Sequence, residues 1–283
     1  RTHLESHLGA SYTIERELDS GGMSRVFVAT DRSLGRRVVI KVLSPELAAE
    51  LSAKRFKREI RLAASLQQAN IVPVLAAGET GGVPHYTMPF VEGLSLRERL
   101  DRDERLSLPE IIGILRDVAR ALAYAHDRGV VHRDIKPENV LLSGDAAVVT
   151  DFGIAKAIAN ARGDPGTDRR PTTTVTQAGT SIGTPAYMAP EQVSGDPAID
   201  HRADLYSYGC LAYELFAGKP PFVSSSVQGL FAAHLSEQPA AITGKNPDTP
   251  ATLAALVMQC LEKDPGRRPP SEREVLSALE ASY

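Results

Sequence analysis

The sequence predicts an α+β protein with a strand-rich N-terminal part and a mostly helical C-terminal part. Three short apolar or alternating runs, 12–19, 25–31 and 36–43, are separated by turn signals rich in Gly and Ser, as in strands joined by hairpins. After Gly93 the apolar residues recur mainly at helical spacing. These observations favour a small sheet followed by a helical lobe.

The N-terminal part also contains signals for one helix and two more strands. Residues 44–46, with the sequence SPE, are typical of a helix start, because proline is favoured in a first helical turn. The apolar runs 71–77 and 84–91 are interpreted as strands. The helix is indicated by apolar residues at helical spacing, namely Phe56, Ile60, Ala63 and Ala64.

The C-terminal part begins with a well-marked helix. Ser107 and Glu110 match a capping box, in which each side chain bonds to the other residue's exposed amide, and Gly129 marks the helix end. Residues 202–217 and 251–262 predict two further helices. The apolar face of the first helix comprises Ile111, Leu115, Val118, Leu122 and Ala125.

Composition excludes several classes of function. The 32 basic and 35 acidic residues give a formal charge of −3, which argues against a nucleic-acid partner. No apolar run reaches the roughly 18 residues needed to span a bilayer, and no signal peptide is recognisable. The two cysteines predict neither a disulfide framework nor a zinc site. Arg1 in place of Met indicates a fragment of a longer protein.

A dense polar cluster carries the strongest chemical signal. Residues 132–139 (HRDIKPEN) follow a helix end and precede an apolar run, and residues 151–153 (DFG) follow a second apolar run. A hairpin of these two runs would bring Asn139 close to Asp151. Both side chains offer oxygen ligands suited to Mg²⁺, which proteins usually share with phosphate groups.

Three weaker features each have an ordinary structural explanation beside the functional one. Lys41 shares a strand face with Val39, where a lysine needs a partner or a route to water. Glu59, on the following helix, is by itself a typical surface residue. The glycine-containing loop 20–24 is either a phosphate cradle or a simple hairpin.

Taken together and in this order, these motifs resemble the eukaryotic-type protein kinase superfamily, close to the membrane-anchored bacterial serine/threonine kinases. The resemblance covers residues 12–279. It implies a two-lobe protein-kinase fold, with an antiparallel-sheet N-lobe and one main helix in residues 1–92 and a mostly helical C-lobe in residues 93–283. The activation segment would run over residues 151–191, ending in the motif APE.

The resemblance implies a role for each catalytic position. Asp134 would orient the attacking hydroxyl and accept its proton, and Lys136 would steady the γ-phosphate of ATP. Asn139 and Asp151 would hold Mg²⁺, or Mn²⁺ in its place. The catalytic set is completed by Lys41 on the α- and β-phosphates, by its partner Glu59 and by Thr184.

The resemblance also implies an ATP site at the lobe boundary. Met88 occupies the gatekeeper position, and the carbonyl of Pro89 and the amide of Val91 would bind adenine. Asp19 and Ser24 stand where the family usually has the first and third glycines of its phosphate loop. Asp19 would repel the phosphates of ATP, unless it accepts a hydrogen bond from a ribose hydroxyl or pairs with Arg25. The full set comprises Leu18, Gly21, Gly22, Met23, Ser24, Val26, Val39, Lys41, Met88, Pro89, Val91, Lys136, Asn139, Leu141 and Asp151.

Further positions match regulatory and structural residues of the family. Arg133 and Lys156 would bind an activation-loop phosphate carried by Thr174, Thr176 or Thr180, within the loop 172–181. The family also predicts a structural ion pair between Glu191 and Arg268, and a bracing role for Asp204 behind the catalytic loop.

Two alternatives to an active protein kinase remain open. A pseudokinase is supported only by Asp19, and a small-molecule kinase is disfavoured by the motif APE and the Thr-rich loop. No Gly-x4-Gly-Lys-Ser/Thr motif supports a P-loop NTPase, and no histidine ligand cluster supports a metallohydrolase.

The expected partners are protein substrates and the kinase itself, in autophosphorylation and a transient dimer. The expected location is cytoplasmic, as a domain of a longer, membrane-anchored protein, with no membrane contact by the fragment itself.

Overall fold

The computed structural model describes residues 8–18, 24–44, 53–80, 83–102, 105–152, 185–244, 246 and 249–281. The chain forms two compact units, and the main change between them along the chain falls after Glu92. The short segment 68–71 belongs to the second unit. The first unit is built on an antiparallel sheet and the second is mostly helical, which confirms the predicted α+β class.

The first unit contains a five-stranded antiparallel sheet with the order β1-β2-β3-β5-β4. One helix, α1, follows β3 in the sequence. The bounds are β1 Tyr12–Leu18, β2 Ser24–Asp31, β3 Arg36–Leu43, α1 Ala53–Ala64, β4 Ala76–Thr80 and β5 Val83–Pro89.

The two faces of this sheet differ in what they carry. The face with alternate residues such as Phe27 and Ile40, both fully buried, packs into an apolar core cluster. On the other face, Val26 lies opposite Lys41, and Val39 lies opposite Met88. Because side chains alternate along a strand, this register places the predicted nucleotide-binding side chains of β2, β3 and β5 on one face.

Two expectations for the first unit need correction. The helix buries Phe56 and Ile60 as predicted, but Ala64 is exposed. The predicted strand 71–77 is wrong, because the strand begins only at Ala76. Pro73 within that run has no amide hydrogen to donate to a strand ladder, which accounts for the later start.

The second unit combines a small sheet, order β6-β7-β8, with helices. Short 3-10 turns span Pro137–Asn139, Pro185–Tyr187, Ile242–Gly244 and Pro265–Arg267. The other elements are β6 Leu94–Ser95, α2 Leu96–Leu100, α3 Leu108–His126, β7 Val140–Ser143, β8 Ala146–Val149, α4 Pro190–Val193, α5 Arg202–Ala217, α6 Val227–Ser236, α7 Ala251–Cys260 and α8 Glu272–Ala281.

Helices α3 and α5 form the centre of the second unit. The capping box of Ser107 and Glu110 at the start of α3 is confirmed, and so is the buried face that the apolar spacing predicts. Helix α5 is buried along almost its whole length, including the two acidic residues Asp204 and Glu214. A buried carboxylate needs a partner, so these two positions mark where polar groups meet inside the unit.

Gly93 sits at a backbone position that only glycine can occupy. Its φ is +147°, and a Cβ atom added to it would lie 1.8 Å from the carbonyl oxygen of Leu142. The next residue, Leu94, pairs with Leu142 between β6 and β7. The close approach of the two backbones therefore fixes the start of β6.

The contrast between two glycines gives a test of this fold. We expect Gly93→Ala to lower the free energy of unfolding by about 3 kcal/mol, because of the clash and the strained φ. Gly113, inside α3, has no atom within 4 Å of an added Cβ. Gly113→Ala should therefore raise stability by up to about 1 kcal/mol. Urea unfolding measures both, and a Gly93→Ala variant as stable as wild type would contradict the close approach.

Candidate active site

The loop that carries HRDIKPEN is framed by α3 and β7. Helix α3 ends at His126, and Gly129, with a φ of +70°, redirects the chain. The 3-10 turn Pro137–Asn139 then leads into β7. The loop is thus held at both ends by regular elements, which limits its freedom.

The β7–β8 hairpin brings the two predicted metal-binding positions together. Val140 pairs with Val149, and the amide of Thr150 donates to the carbonyl of Asn139 at 3.0 Å. Asn139 is therefore paired with Thr150, the residue before Asp151, at the open end of the hairpin. The predicted hairpin is confirmed.

The carboxylate of Asp134 is fixed by two neighbours. Its Oδ2 atom lies 2.9 Å from Nζ of Lys136 and accepts a hydrogen bond from Nδ2 of Asn139 at 3.0 Å. The same Nδ2 atom donates to the backbone carbonyl of Asp134 at 2.7 Å. A quarter of the Asp134 side chain stays exposed, so the group is oriented and still accessible.

His132 ties the loop to the residue before Asp151. Its Nδ1 atom accepts a hydrogen bond from the amide of Asp134 at 3.2 Å, and its Nε2 atom lies 2.8 Å from the carbonyl oxygen of Thr150. These partners select the neutral ring with its proton on Nε2. The ring also packs edge-on against Phe152, with 4.7 Å between the centroids.

Two non-glycine residues of the site adopt left-handed backbone conformations. Arg133 has a φ of +70° and Asp151 a φ of +69°. Such conformations cost of order 1–3 kcal/mol and cluster at functional sites. Hydrogen bonds maintain the conformation of Arg133, because its amide donates to Asp204 and its carbonyl accepts from Gln192.

Asp204 holds the loop from behind. Its Oδ2 and Oδ1 atoms accept hydrogen bonds from the amides of His132 and Arg133, both at 2.7 Å. Burial by itself raises the pKa of Asp204, but the bond from His126 and the backbone amides outweigh it, so that the pKa lies below its usual value. Asp204 is thus a buried anion, and its predicted bracing contacts are confirmed.

The predicted ion pair between Glu191 and Arg268 is also confirmed. Two parallel contacts of 2.6 and 2.9 Å join the guanidinium to the carboxylate. The Arg268 side chain is fully buried, and it also donates to backbone carbonyls, among them that of Arg202. The pair fixes the start of α4 beside the start of α5.

A second polar cluster was not predicted from the sequence. Nη2 of Arg97 donates to the hydroxyl of Tyr187 at 2.6 Å and to Oε1 of Glu214 at 3.0 Å, and its Nε atom lies 3.4 Å from Glu138. The Tyr187 hydroxyl donates to the other oxygen of Glu214. Burial by itself lowers the pKa of Arg97, but the neighbouring oxygens outweigh this effect, so that the pKa lies above its usual value. The sequence signal that could have indicated this cluster was Glu214, an acidic residue within an otherwise apolar helix.

The donor set at the end of the hairpin suits a hard cation that also binds phosphate. In the described part of the chain, no three His, Cys, Asp or Glu side chains are grouped to hold a metal. The amide oxygen of Asn139 and the carboxylate of Asp151 form a smaller set. Magnesium commonly binds through one or two such protein ligands together with substrate phosphates and water.

Four predicted residues of the first unit share one sheet face, namely Val26, Val39, Lys41 and Met88. Lys41 is half-buried on β3, Val39 and Met88 are buried, and Glu59 is half-buried on α1. The Lys41–Glu59 pair stays a prediction. Leu18, Ser24, Val26, Pro89, Val91 and, in the second unit, Leu141 are half-buried.

Several predicted residues lie outside the described residues. They are Asp19, Gly21, Gly22, Met23, Lys156, Thr174, Thr176, Thr180 and Thr184. Arg25, suggested as a partner of Asp19, forms a two-point ion pair with Glu17 at 2.8 and 2.7 Å.

Comparison with known proteins identifies the class of this fold and site. The protein kinase domain family matches residues 12–279, which is nearly the whole chain. The chain therefore belongs to the protein kinase family. The crystal structure of the kinase domain of PknI from Mycobacterium tuberculosis superposes with a TM-score of 0.73, at 30% identity, over 96% of each chain. This likeness confirms the predicted kinase fold.

The similar curated proteins are named as bacterial serine/threonine kinases. A probable serine/threonine-protein kinase of Streptomyces coelicolor is 41% identical over 97% of the chain, and serine/threonine-protein kinase PknB of Mycobacterium tuberculosis is 38% identical over 97%. These names agree with the predicted resemblance to bacterial serine/threonine kinases. The chain spans only 40% and 43% of the lengths of these relatives. Helices within the described ranges are all too short or too polar to cross a membrane.

The buried ion pair predicts unequal effects of two adjacent arginines. Arg268→Ala should lower the free energy of unfolding by about 3–5 kcal/mol, because it leaves the Glu191 carboxylate without its cation. Arg267 is 74% exposed and lies 4.0 Å from Asp264, so Arg267→Ala should change stability by less than about 1 kcal/mol. Urea unfolding compares the two. Equal losses would show that the buried pair contributes no more than a surface pair.

Proposed function

We propose that this domain transfers the γ-phosphoryl group of ATP to serine or threonine hydroxyls of proteins, with Asp134 as the catalytic acceptor of the hydroxyl proton. The observation that carries the proposal is the orientation of the Asp134 carboxylate between Lys136 and Asn139. This arrangement presents an accessible carboxylate in a loop that Asp204 holds rigid.

Positioning is the main contribution expected of these residues. The transition state for phosphoryl transfer is loose, so the protein gains rate chiefly by aligning the hydroxyl with the phosphate and by placing fixed charges. Asp134 would accept a hydrogen bond from the substrate hydroxyl and take its proton as the new bond forms. Lys136, 2.9 Å from Asp134, would keep its positive charge near the transferred group.

Asn139 and Asp151 would hold the divalent cation, Mg²⁺ or Mn²⁺. When bound, such an ion neutralises phosphate charge that the protein alone would leave exposed. The chain's own contribution would be to keep these two ligands close to each other through the hairpin and the left-handed φ of Asp151. Asn139 has the further task of orienting Asp134 through its amide group.

We propose that residues 1–92 bind the nucleotide and that residues 93–283 carry the catalytic loop, the activation segment 151–191 and the protein-substrate surface. Lys41, with Glu59 as its partner, would contact the α- and β-phosphates. The register that puts Lys41, Val39, Val26 and Met88 on one sheet face supports a single nucleotide surface. Leu18, Pro89, Val91 and Leu141 would complete the adenine site, with Gly21, Gly22, Met23, Ser24 and Thr184 near the phosphates.

We further propose that phosphorylation of the loop 172–181 activates the domain. Arg133 is half-buried, its guanidinium donates to the carbonyl of Ile199 at 3.4 Å, and with Lys156 it would bind the phosphate. Phosphorylation adds about −1.5 to −2 charges at neutral pH, enough to order a loop through charge-assisted bonds. Another copy of the chain would transfer this phosphoryl group from ATP, in a transient dimer. The domain would work in the cytoplasm, as part of a longer membrane-anchored protein.

The catalytic assignment predicts loss of activity without loss of fold. Asp134→Asn and Asp151→Asn should each lower phosphoryl transfer from labelled ATP to a generic basic protein at least about a hundredfold, because each removes a charge needed in the transition state. Asp145→Asn, in the exposed turn of the same hairpin, is the control and should retain activity. If Asp151→Asn keeps more than about a tenth of wild-type activity, the metal assignment is wrong.

The regulatory assignment predicts where phosphate accumulates. After incubation of the purified domain with Mg-ATP, peptide mass spectrometry should find phosphate on Thr174, Thr176 or Thr180. The Asp134→Asn domain should gain none by itself, which separates autophosphorylation from contaminating kinases. An active domain that carries no phosphate within 172–181 would refute activation by this route.

A further inference from the structure

His126, the last residue of α3, is buried between two carboxylates from different helices. Its Nε2 atom lies 2.7 Å from Oδ2 of Asp204 on α5, and its Nδ1 atom lies 2.9 Å from Oε2 of Glu272 on α8. Both ring nitrogens thus face anionic oxygens, which is the environment of a doubly protonated imidazolium. Burial by itself lowers the pKa of His126, but the two carboxylates raise it to about 10.

Glu272 differs from Asp204 in how it contacts the ring. The contact of Glu272 with Nδ1 is an ion pair that does not count as a hydrogen bond by geometry. Glu272 is only 2% exposed, and its Oε1 atom makes no hydrogen bond within the described residues. A buried carboxylate is costly unless a cation compensates it, so Glu272 and the charge of His126 depend on each other.

We propose that Glu272 is a positioning residue for phosphoryl transfer, acting through His126 and Asp204 on the backbone that carries Asp134. The chain of contacts is continuous. Glu272 holds His126, His126 donates to Asp204, and Asp204 accepts the amides of His132 and Arg133 directly before Asp134. This inference rests on the proposed function, since it concerns the geometry of the same catalytic loop.

The charges around His126 determine what loss of Glu272 would do. The two carboxylates share one imidazolium, so the Glu272→Gln variant leaves a single buried pair of His126 and Asp204. The pKa of His126 should then fall, because one of the two anions that raise it is gone. Once His126 loses its proton, Asp204 either remains a buried anion without its cation or takes up a proton. Both outcomes weaken or alter its hold on the two amides.

Other ionisable groups face the same place. The ring of His201 packs 5.5 Å from that of His126, and Arg273 pairs with Asp127 at 2.5 Å at the surface. A cavity of about 390 Å³ is lined in part by His126, His201, Glu272 and Arg273. None of these groups separates Glu272 from the ring.

The sign of the pH dependence follows from the raised pKa. His126 gains its partners only in the folded state, so this stabilisation is complete below the unfolded pKa of about 6.5 and is lost as pH rises through about 10. The protonated fraction of His126 in the wild type therefore changes little up to about pH 9. In Glu272→Gln, His126 should lose its proton at a lower pH, in the range between about pH 7 and pH 9.

The experiment compares Glu272→Gln with Glu274→Gln, an equal charge change at an exposed position of the same helix. For each variant, kcat and KM for ATP are measured against a peptide substrate between about pH 6 and pH 9. We expect kcat of Glu272→Gln to be within about twofold of wild type at the low end and about tenfold lower at the high end, with an unchanged KM. Glu274→Gln should match wild type throughout. Thermal unfolding at each pH verifies that the domain is folded.

Two results would overturn the inference while the proposed function stands. One is that Asp134→Asn abolishes the activity of the domain, whereas Glu272→Gln matches Glu274→Gln at every pH. The other is an effect of Glu272→Gln on KM alone.

If Glu272→Gln does not fold, imidazole NMR of the wild type decides. A His126 ring still protonated at about pH 8.5 supports the inference, and one that titrates near the usual pKa of about 6.5 overturns it. A wild-type domain without kinase activity refutes the proposed function and this inference together.

Discussion

The geometry of the catalytic loop depends on one buried carboxylate. Asp204 accepts two backbone amides of the loop, and these bonds hold Arg133 in a left-handed conformation. Without them, nothing in the local sequence would favour that backbone shape, since arginine gains nothing from a positive φ. Asp134 follows directly after these two anchored residues, and Lys136 and Asn139 then orient its carboxylate.

The two units use different means to hold their functional residues. The first unit places its side chains by strand register, which needs only alternation and an apolar core on one face. The second unit uses buried ions at the junctions of helices, namely Asp204 with His126, Glu191 with Arg268 and Glu214 with Arg97. Such pairs add little net stability compared with apolar packing, but each admits few geometries. That restriction suits loops that must present charges in fixed directions.

Much of this could be predicted from the sequence, because it depends on local patterns. Ser107 and Glu110 mark the start of α3, and the runs flanking residues 143–146 predict the hairpin that joins Asn139 to Asp151. The false strand at 71–77 shows the limit, since the apolar run was convincing and a single proline displaced the strand. Glu272 and Arg97 could not be found in this way, because their partners are distant in sequence and each is an ordinary surface residue by pattern alone.

The distance along the chain between the catalytic loop and its anchor has a consequence for synthesis. The amide of His132 bonds to a carboxylate 72 residues further on, within a helix buried on nearly all sides. During translation the loop therefore leaves the ribosome well before Asp204 does, and until then its two amides are without this acceptor. The N-terminal sheet has all its strands by then and can fold first. A nascent or prematurely terminated chain that ends before α5 would be able to form this sheet but could not assemble the catalytic loop.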